Sequence, residues 1–492
     1  MNLSGSGSSL ELAGTVTQNL PSNIFTNNEV YNLIINNSQN VTFSGTIKLL
    51  NNLTVLAGKL DGVTNTPTFS YGGTSAQTIA SGLFLNNTLS NLKIENTAGV
   101  TLTTDFTINT KLTINNGSSL TIPTATFCNV IGNIDNLAGV SGLILKADPL
   151  GFTPNASMVY HNDYNSPVQA TVEMYSKSNA NKAQYIGMPI RTAVFQSSPF
   201  VGSRLYSFDE NVVGSAGLWT ALGTNSVLNA FKGYALMRTS PAVLTFQGEL
   251  VNHDYNSIHT PFSYSPASSY AGYHLIANPY TAAIDISQIV FGSSDPNIID
   301  NSLLFYNTGS YADWAAAGSG SVSGNAPGQY LTVPVFVAGL NGLPSQIPSM
   351  SSVMILTKSS SPDAWVEFPY SAVSVKNSEM MRAKRANEKT CTRIEIVGTK
   401  SYDCMWIVID STCTHGFDNG WDGIKSVASA GVLQLFAIES DGKSYQVNSV
   451  NNIDNIDIAM QASTKDSVYT ITFNHQNTDN VYPQLYLLDN VT

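Results

Sequence analysis

Two carboxylates four positions apart, Asp418 and Asp422, sit among glycines in the segment His415-Gly416-Phe417-Asp418-Asn419-Gly420-Trp421-Asp422-Gly423. With Asn419 between them they could present hard oxygen ligands, the donors that calcium takes. The EF-hand pattern fails, because Gly420 stands at the third position of such a loop and Ser429 where its bidentate Glu belongs. The competing reading is a tight polar turn, in which Asp and Asn bond the backbone and Gly takes positive φ. Asp418, Asn419 and Asp422 therefore form a candidate calcium site, and no other cofactor is indicated.

Nucleophilic chemistry has weaker support. Cys413 lies two positions from His415, but Cys–His pairs are set in space rather than by adjacency, and no orienting third group follows. The six histidines (161, 253, 259, 274, 415 and 475) include no H-E-x-x-H, and no G-x-S-x-G elbow occurs. Cys128, Cys391, Cys404 and Cys413 lack C-x-x-C spacing. A disulfide among the last three competes with simple burial as small apolar residues. Between residues 10 and 119 the charges Glu11, Glu29, Lys48, Lys59, Asp61, Lys93, Glu95, Asp105 and Lys111 are scattered singly. None forms the paired carboxylates that glycosidic cleavage requires. No catalytic residue is assigned, and the expectation is a protein that is not an enzyme.

Composition points the same way. Charged residues are 11% of the 492, against roughly 25% in an ordinary soluble protein, so Ser, Thr, Asn and Gly must solvate the surface. Such a balance suits extracellular β-structure, whose turns favour Asn and Gly. The net charge of −11, with no basic stripe, argues against nucleic acid and against an anionic membrane surface. No apolar run reaches the roughly 18 residues of a bilayer span, so membrane insertion is not expected. The start, Met1-Asn2-Leu3-Ser4-Gly5, has no signal-peptide character, and the expectation is a trimmed fragment.

The elements that would position any site begin with a duplication. Residues 10–60 superpose on 69–119 at a constant offset of 59, pairing Gly14 with Gly73, Gln18 with Gln77, Phe25 with Phe84, Ile35 with Ile94 and Gly58 with Gly117. Short alternating pairs such as Leu33/Ile35, Val41/Phe43 and Leu53/Val55 predict strands separated by Asn, Gly and Ser turns. Stacked coils of about 20 residues, about three per copy, would bury such an apolar ladder. A string of small β-sandwiches is the alternative, at the cost of a thin core.

From about residue 125 the strands lengthen and a second duplication emerges. Gln184-Tyr185-Ile186-Gly187-Met188-Pro189 answers Tyr273-His274-Leu275-Ile276-Ala277-Asn278-Pro279, Leu205–Phe208 answers Leu303–Tyr306, and Phe231–Met237 answers Met350–Leu356. Two related β-sandwich modules are expected, with the Gly, Ser and Pro-rich stretch from Ala317 to Pro348 as a surface loop of the second. Residues 376–389 carry seven charges and read as a linker that a trypsin-like protease could cut. Beyond it, Arg393–Val397, Met405–Ile409, Val468–Phe473 and Gln484–Leu488 alternate as strands of a third sandwich.

Two segments carry a resemblance. Tyr273–Asp285, with Asn278-Pro279-Tyr280-Thr281-Ala282-Ala283-Ile284-Asp285, resembles the G-N-P-Y-P-S-A-I-D signature of surface proteins that Bacteroidota export through the type IX secretion system. It departs from that signature at Ala277 and Thr281. Phe417-Asp418-Asn419-Gly420-Trp421-Asp422-Gly423 with Lys425 is similar to the F-D-x-G-x-D-G-x-K segment found just upstream of type IX sorting domains. The resemblance implies an extracellular or cell-surface protein whose sorting domain is absent from this chain. Physically, Pro279 should hold Asn278 extended and Asp285 should cap a bend.

The expected architecture is thus all-β: a β-solenoid-like repeat region (1–124), β-sandwich modules at 125–250 and 251–375, the charged linker at 376–389, and a C-terminal β-sandwich at 390–492. The expected function is that of a non-enzymatic adhesin, spacer or binding stalk, with another surface protein or glycans as partner. The alternatives are a carbohydrate-binding protein, marked by a flat row of exposed Tyr or Trp, and a solenoid polysaccharide lyase or hydrolase.

Overall fold

The computed structural model describes residues 1–163, 165–195, 199–212, 218–256, 262–293, 295, 298–308, 328–359, 364–373, 389–399, 401–427, 431–463, 466–479, 481–482 and 484–489. Positions 164, 257, 259, 317–327, 376–388 and 429 of the segments singled out above lie outside the described residues. The protein is all-β, a β-solenoid-like region followed by several separate sheets.

In the first region the strands Ser9–Gly14, Glu29–Asn37 and Thr46–Ala57 recur 59 residues on as Thr68–Tyr71, Phe84–Ile94 and Phe106–Ile114, three coils per copy. All pair in parallel, with Leu33 against Leu53 and Leu92 against Leu112. Parallel strands buried beneath crossovers need apolar side chains at every inward position. The Leu, Ile and Val ladder supplies them, with Phe43, Phe69, Phe84 and Phe106 stacked edge-to-face at 5.1–6.0 Å between centroids.

The duplication also carries a buried polar ladder. Asn37 donates to Val16 O (2.8 Å) and Gln18 Oε1 (2.9 Å) and accepts from Gln39 N (2.9 Å). Asn96, 59 residues later, donates to Ser75 O (2.7 Å) and Gln77 Oε1 (2.7 Å) and accepts from Ala98 N (2.8 Å). Both are fully buried. At Gly58 (φ +66°) a Cβ would stand 2.1 Å from Asn37 O, so only glycine lets the next coil close over this network.

Parallel pairing continues past residue 124. Phe106–Ile114 pairs with Phe127–Val130, which pairs with Ser157–Tyr160. On the other face Leu120–Ile122 pairs with Leu143–Leu145 and that with Gln169–Ser176. The antiparallel strand Ala242–Glu249 then covers Gln169–Ser176 over its whole length, giving the last coil a partner for its open edge. One core runs unbroken from Leu20 to Leu250.

The second duplication folds twice into the same strand order. Ala183–Ile186, Tyr234–Met237, Arg204–Phe208 and Trp219–Ala221 form one four-stranded sheet, and Tyr273–Ala277, Ser352–Leu356, Ser302–Tyr306 and Tyr330–Pro334 form the other. The two meet about a local two-fold. Ile186 bridges Ser351 and its counterpart Ile276 bridges Lys232. Gly187 N donates to Met350 O, and Ala277 N to Phe231 O, both at 2.9 Å. Residue i contacts j while the match of j contacts the match of i, as in an isologous dimer. A Cβ on Gly187 would fall 2.6 Å from that of its counterpart Ala277, so glycine permits the approach.

The Ala317–Pro348 stretch departs from the surface-loop expectation over residues 328–348. Its described part contains the strands Tyr330–Pro334 and Gln346–Ile347, with Val333, Val337, Leu340, Leu343 and Ile347 buried. Gly and Pro there make tight turns between core residues. The last sheet runs in the order Asp457–Gln461, Gln434–Ile438, Ser444–Val450, Tyr402–Ile409, Thr390–Val397, Thr470–Gln476. Trp406, Val408, Cys391 and Cys404 from this sheet join the core of the second module. All four cysteines are free and buried, and burial pushes each thiol up to about 12. The strand register explains the absence of a Cys391–Cys404 bridge, since Cys391 lies opposite Val408 and Cys404 opposite Glu395.

Candidate functional site

The acidic loop is placed against the second module. Asn419 Oδ1 accepts from Asn301 N (2.8 Å) and its Nδ2 donates to Ile299 O (2.9 Å). Gly420 O accepts from Phe336 N (3.0 Å), Ile424 O from Thr332 Oγ1 (2.8 Å) and Gln446 Oε1 from Thr332 N (3.0 Å). Trp421 packs on Phe336 with centroids 5.6 Å apart. Asp418 Oδ2 accepts from Thr414 N (2.5 Å) and Oγ1 (3.1 Å). Asp422, fully buried, accepts from Asp418 N and Ser449 N, each at 2.6 Å. Burial pushes its carboxyl up to about 7, with the Asp418 and Glu439 charges adding to the rise. The loop residues thus share one turn, and their oxygens hold backbone N–H groups. No group of three or more His, Cys, Asp or Glu side chains fit to hold a metal ion occurs among the described residues.

Cys413 and His415 do not form a nucleophile pair. The Cys413 thiol is raised by burial and by Asp418 and Asp410, the opposite of an activated cysteine. His415 Nδ1 instead faces Glu439 Oε2 at 3.4 Å.

A cleft of about 910 Å³ lies where the two related modules meet, lined by both. No motif announced it, because its residues come from separated strands that converge only through the two-fold contact. Arg191, Lys232, Asp209, Glu210 and Glu249 supply its charges, and Phe208, Phe231, Phe262 and Tyr273 its rings. Glu210, 1% exposed, accepts from Ser265 N (3.0 Å) and Gly272 N (2.6 Å). Arg191 Nη1 faces Glu249 Oε2 at 3.7 Å. His253 and His274 are both held below the usual imidazole range, mainly by burial. Their rings lie on Phe231 (5.4 Å) and Phe262 (4.7 Å), and His274 Nε2 is 3.0 Å from Ser263 O. Glu210 and His253 reach from one module to the other, while Arg191–Glu249 and His274–Ser263 are held within one module each, so the cleft offers a binding surface of rings and fixed dipoles.

The Tyr273–Asp285 segment is likewise structural. Asn278, fully buried, donates to Ala282 O, Ile347 O and Pro348 O and accepts from Tyr280 N. Asp285 caps a short 3₁₀ turn by accepting from Ser287 N (2.9 Å). Thr281, at the departure from the signature, donates from Oγ1 to Met158 O (2.7 Å) and so pins the second module to the end of the solenoid. Among the described tyrosines and tryptophans only Tyr270 and Tyr486 are exposed, which is not the flat row that sugar stacking would require.

The chain is 28% identical over 386 residues to the minor fimbrium subunit Mfa5 of Porphyromonas gingivalis, an alignment that covers 73% of this chain and 30% of that protein. The chain therefore spans less than a third of that relative's length. No protein-family model and no solved structure matches it.

Proposed function

We propose that this chain is a non-enzymatic, surface-displayed or secreted stalk segment of an adhesive assembly, exported by the type IX route, whose partner is another surface protein. The observation that carries the reading is the continuity of its cores. The solenoid core runs into the first module, that module meets the second through a two-fold contact, and the second shares its core with the last sheet. Such joints transmit load, a property that a spacer needs and that a lone enzyme domain does not. The similarity to a fimbrium subunit supports the same reading.

Immunolabelling of intact cells that express the full-length protein tests it, with a strain lacking the type IX machinery as control. Surface label that disappears in the control supports the proposal. Label confined to the cytoplasm overturns it. Calcium at Asp418, Asn419 and Asp422 is a separate proposal for the loop. A cation there must displace N–H donors from the carboxylates, so a melting midpoint that rises with added calcium supports it, and an unchanged midpoint leaves the loop as a joint.

A further inference from the structure

In a chain whose surface is dressed with uncharged side chains, one lysine lies inside the last sheet. Lys425 follows the short strand Gly423–Ile424, and its Nζ sits 2.8 Å from Oδ1 and 2.7 Å from Oδ2 of Asp403. Both side chains are 2% exposed, which no other ion pair among the described residues approaches. Asp403 projects from Tyr402–Ile409 on the same face as Met405 and Ile407, into the apolar cluster that holds Leu433, Leu435 and Tyr445. An isolated pair of charges in such a place is commonly no more stable than apolar residues of the same volume. The arrangement has a second property that a bare ion pair does not need. Leu435 N donates to Asp403 Oδ2 at 2.7 Å, and Cys404 N also donates to the carboxylate.

We propose that Lys425 and Asp403 condense to an intramolecular isopeptide bond that cross-links this sheet. With Nζ held on both oxygens, the carbon between them lies about 3 Å away, and a turn of the amine out of the carboxyl plane brings the nitrogen over that carbon for attack. A proton passes from Nζ to Oδ1 along the existing hydrogen bond, and the freed lone pair adds to Cγ. The charge that develops on Oδ2 is met by the Leu435 N–H, as in an oxyanion hole. A second proton passes from nitrogen to Oδ1, the Cγ–Oδ1 bond breaks and water leaves, so ammonium plus carboxylate become amide plus one water with no change of oxidation state. Burial, which holds the Asp403 carboxyl above its usual range, favours the neutral acid from which the step starts. Excluding water protects the amide once formed. The bond ties residues 403 and 425 without any disulfide, in a sheet whose cysteines are free.

Intact mass spectrometry of the purified chain, denatured and reduced, tests this. The expected mass is one water below that of the sequence, with a branched tryptic peptide that joins Asp403 to Lys425. Lys425→Met and Asp403→Ala chains should each show their full sequence mass, whether or not they fold. A wild-type chain of full mass with an unmodified Lys425 peptide overturns the proposal. So does a water deficit that maps to any other residue.

Discussion

Replacing Asn96 by alanine removes a fully buried amide that makes three hydrogen bonds, to Ser75 O, Gln77 Oε1 and Ala98 N. Each bond is worth roughly 1 kcal/mol net, and orphaned backbone groups cannot reach water at this depth, so the expected cost is about 3 kcal/mol. Because the chain has several cores, a single melting midpoint would blur the effect, whereas amide hydrogen exchange reads it locally. Peptides covering Gln77–Ile79 and Val100–Leu102 should exchange about a hundredfold faster, since each 1.4 kcal/mol is a factor of ten. The repeat supplies its own control. Asn37 makes the equivalent three bonds one copy earlier, so Asn37→Ala should speed exchange in the peptides around Gln18–Leu20 and Val41–Phe43 in the same way. An effect below about threefold at either site would refute the argument that this ladder holds the coils in register.

Two further substitutions probe the joints. Trp406→Ala removes a fully buried ring shared by two modules, with its Nε1 on Asn341 O at 3.0 Å; a loss of about 3–5 kcal/mol is expected, read as earlier proteolytic separation of the last sheet, and unchanged resistance would contradict the shared core. Asp422 has a folded pKa raised to about 7 from 3.8, so the folded form prefers the proton. Its stabilising contribution is whole below about pH 4, falls as pH rises to about 7 and is flat above, a swing of up to about 4 kcal/mol. The difference in unfolding free energy between wild type and Asp422→Asn should therefore slope over that window, and a flat difference would show that the carboxylate ionises freely.

Much of the architecture was legible because it depends on period and repetition. Leu33/Ile35 and their copies at Leu92/Ile94 announce an inward ladder, and a 59-residue offset without gaps leaves few folds other than stacked coils. The two-module duplication was equally readable from Gly187-Met188-Pro189 against Ala277-Asn278-Pro279. Asn37 and Asn96 do not stand out in the sequence, since an isolated asparagine in a turn-rich chain looks like any other loop residue. Their offset of 59, taken with that of Gln18 and Gln77, was the signal that could have found them. Residues 328–348 differ from the loop expectation because glycine and proline report turns and not depth, and this part packs Val333, Leu343 and Ile347 into a core.

The sequence by itself determined the β class, the repeat lengths and the absence of any linear catalytic motif, because these follow from alternation and spacing along the chain. Only the tertiary structure decided what the acidic loop touches, where the modules meet and which lysine lies inside. Asp418, Asn419 and Asp422 look the same in sequence whether their oxygens face a cation or a backbone amide; the partners Asn301 and Ser449 lie far along the chain. The depth of Lys425 depends on Asp403 and Leu435 arriving from other strands, and a charge can stay buried only when such partners converge on it.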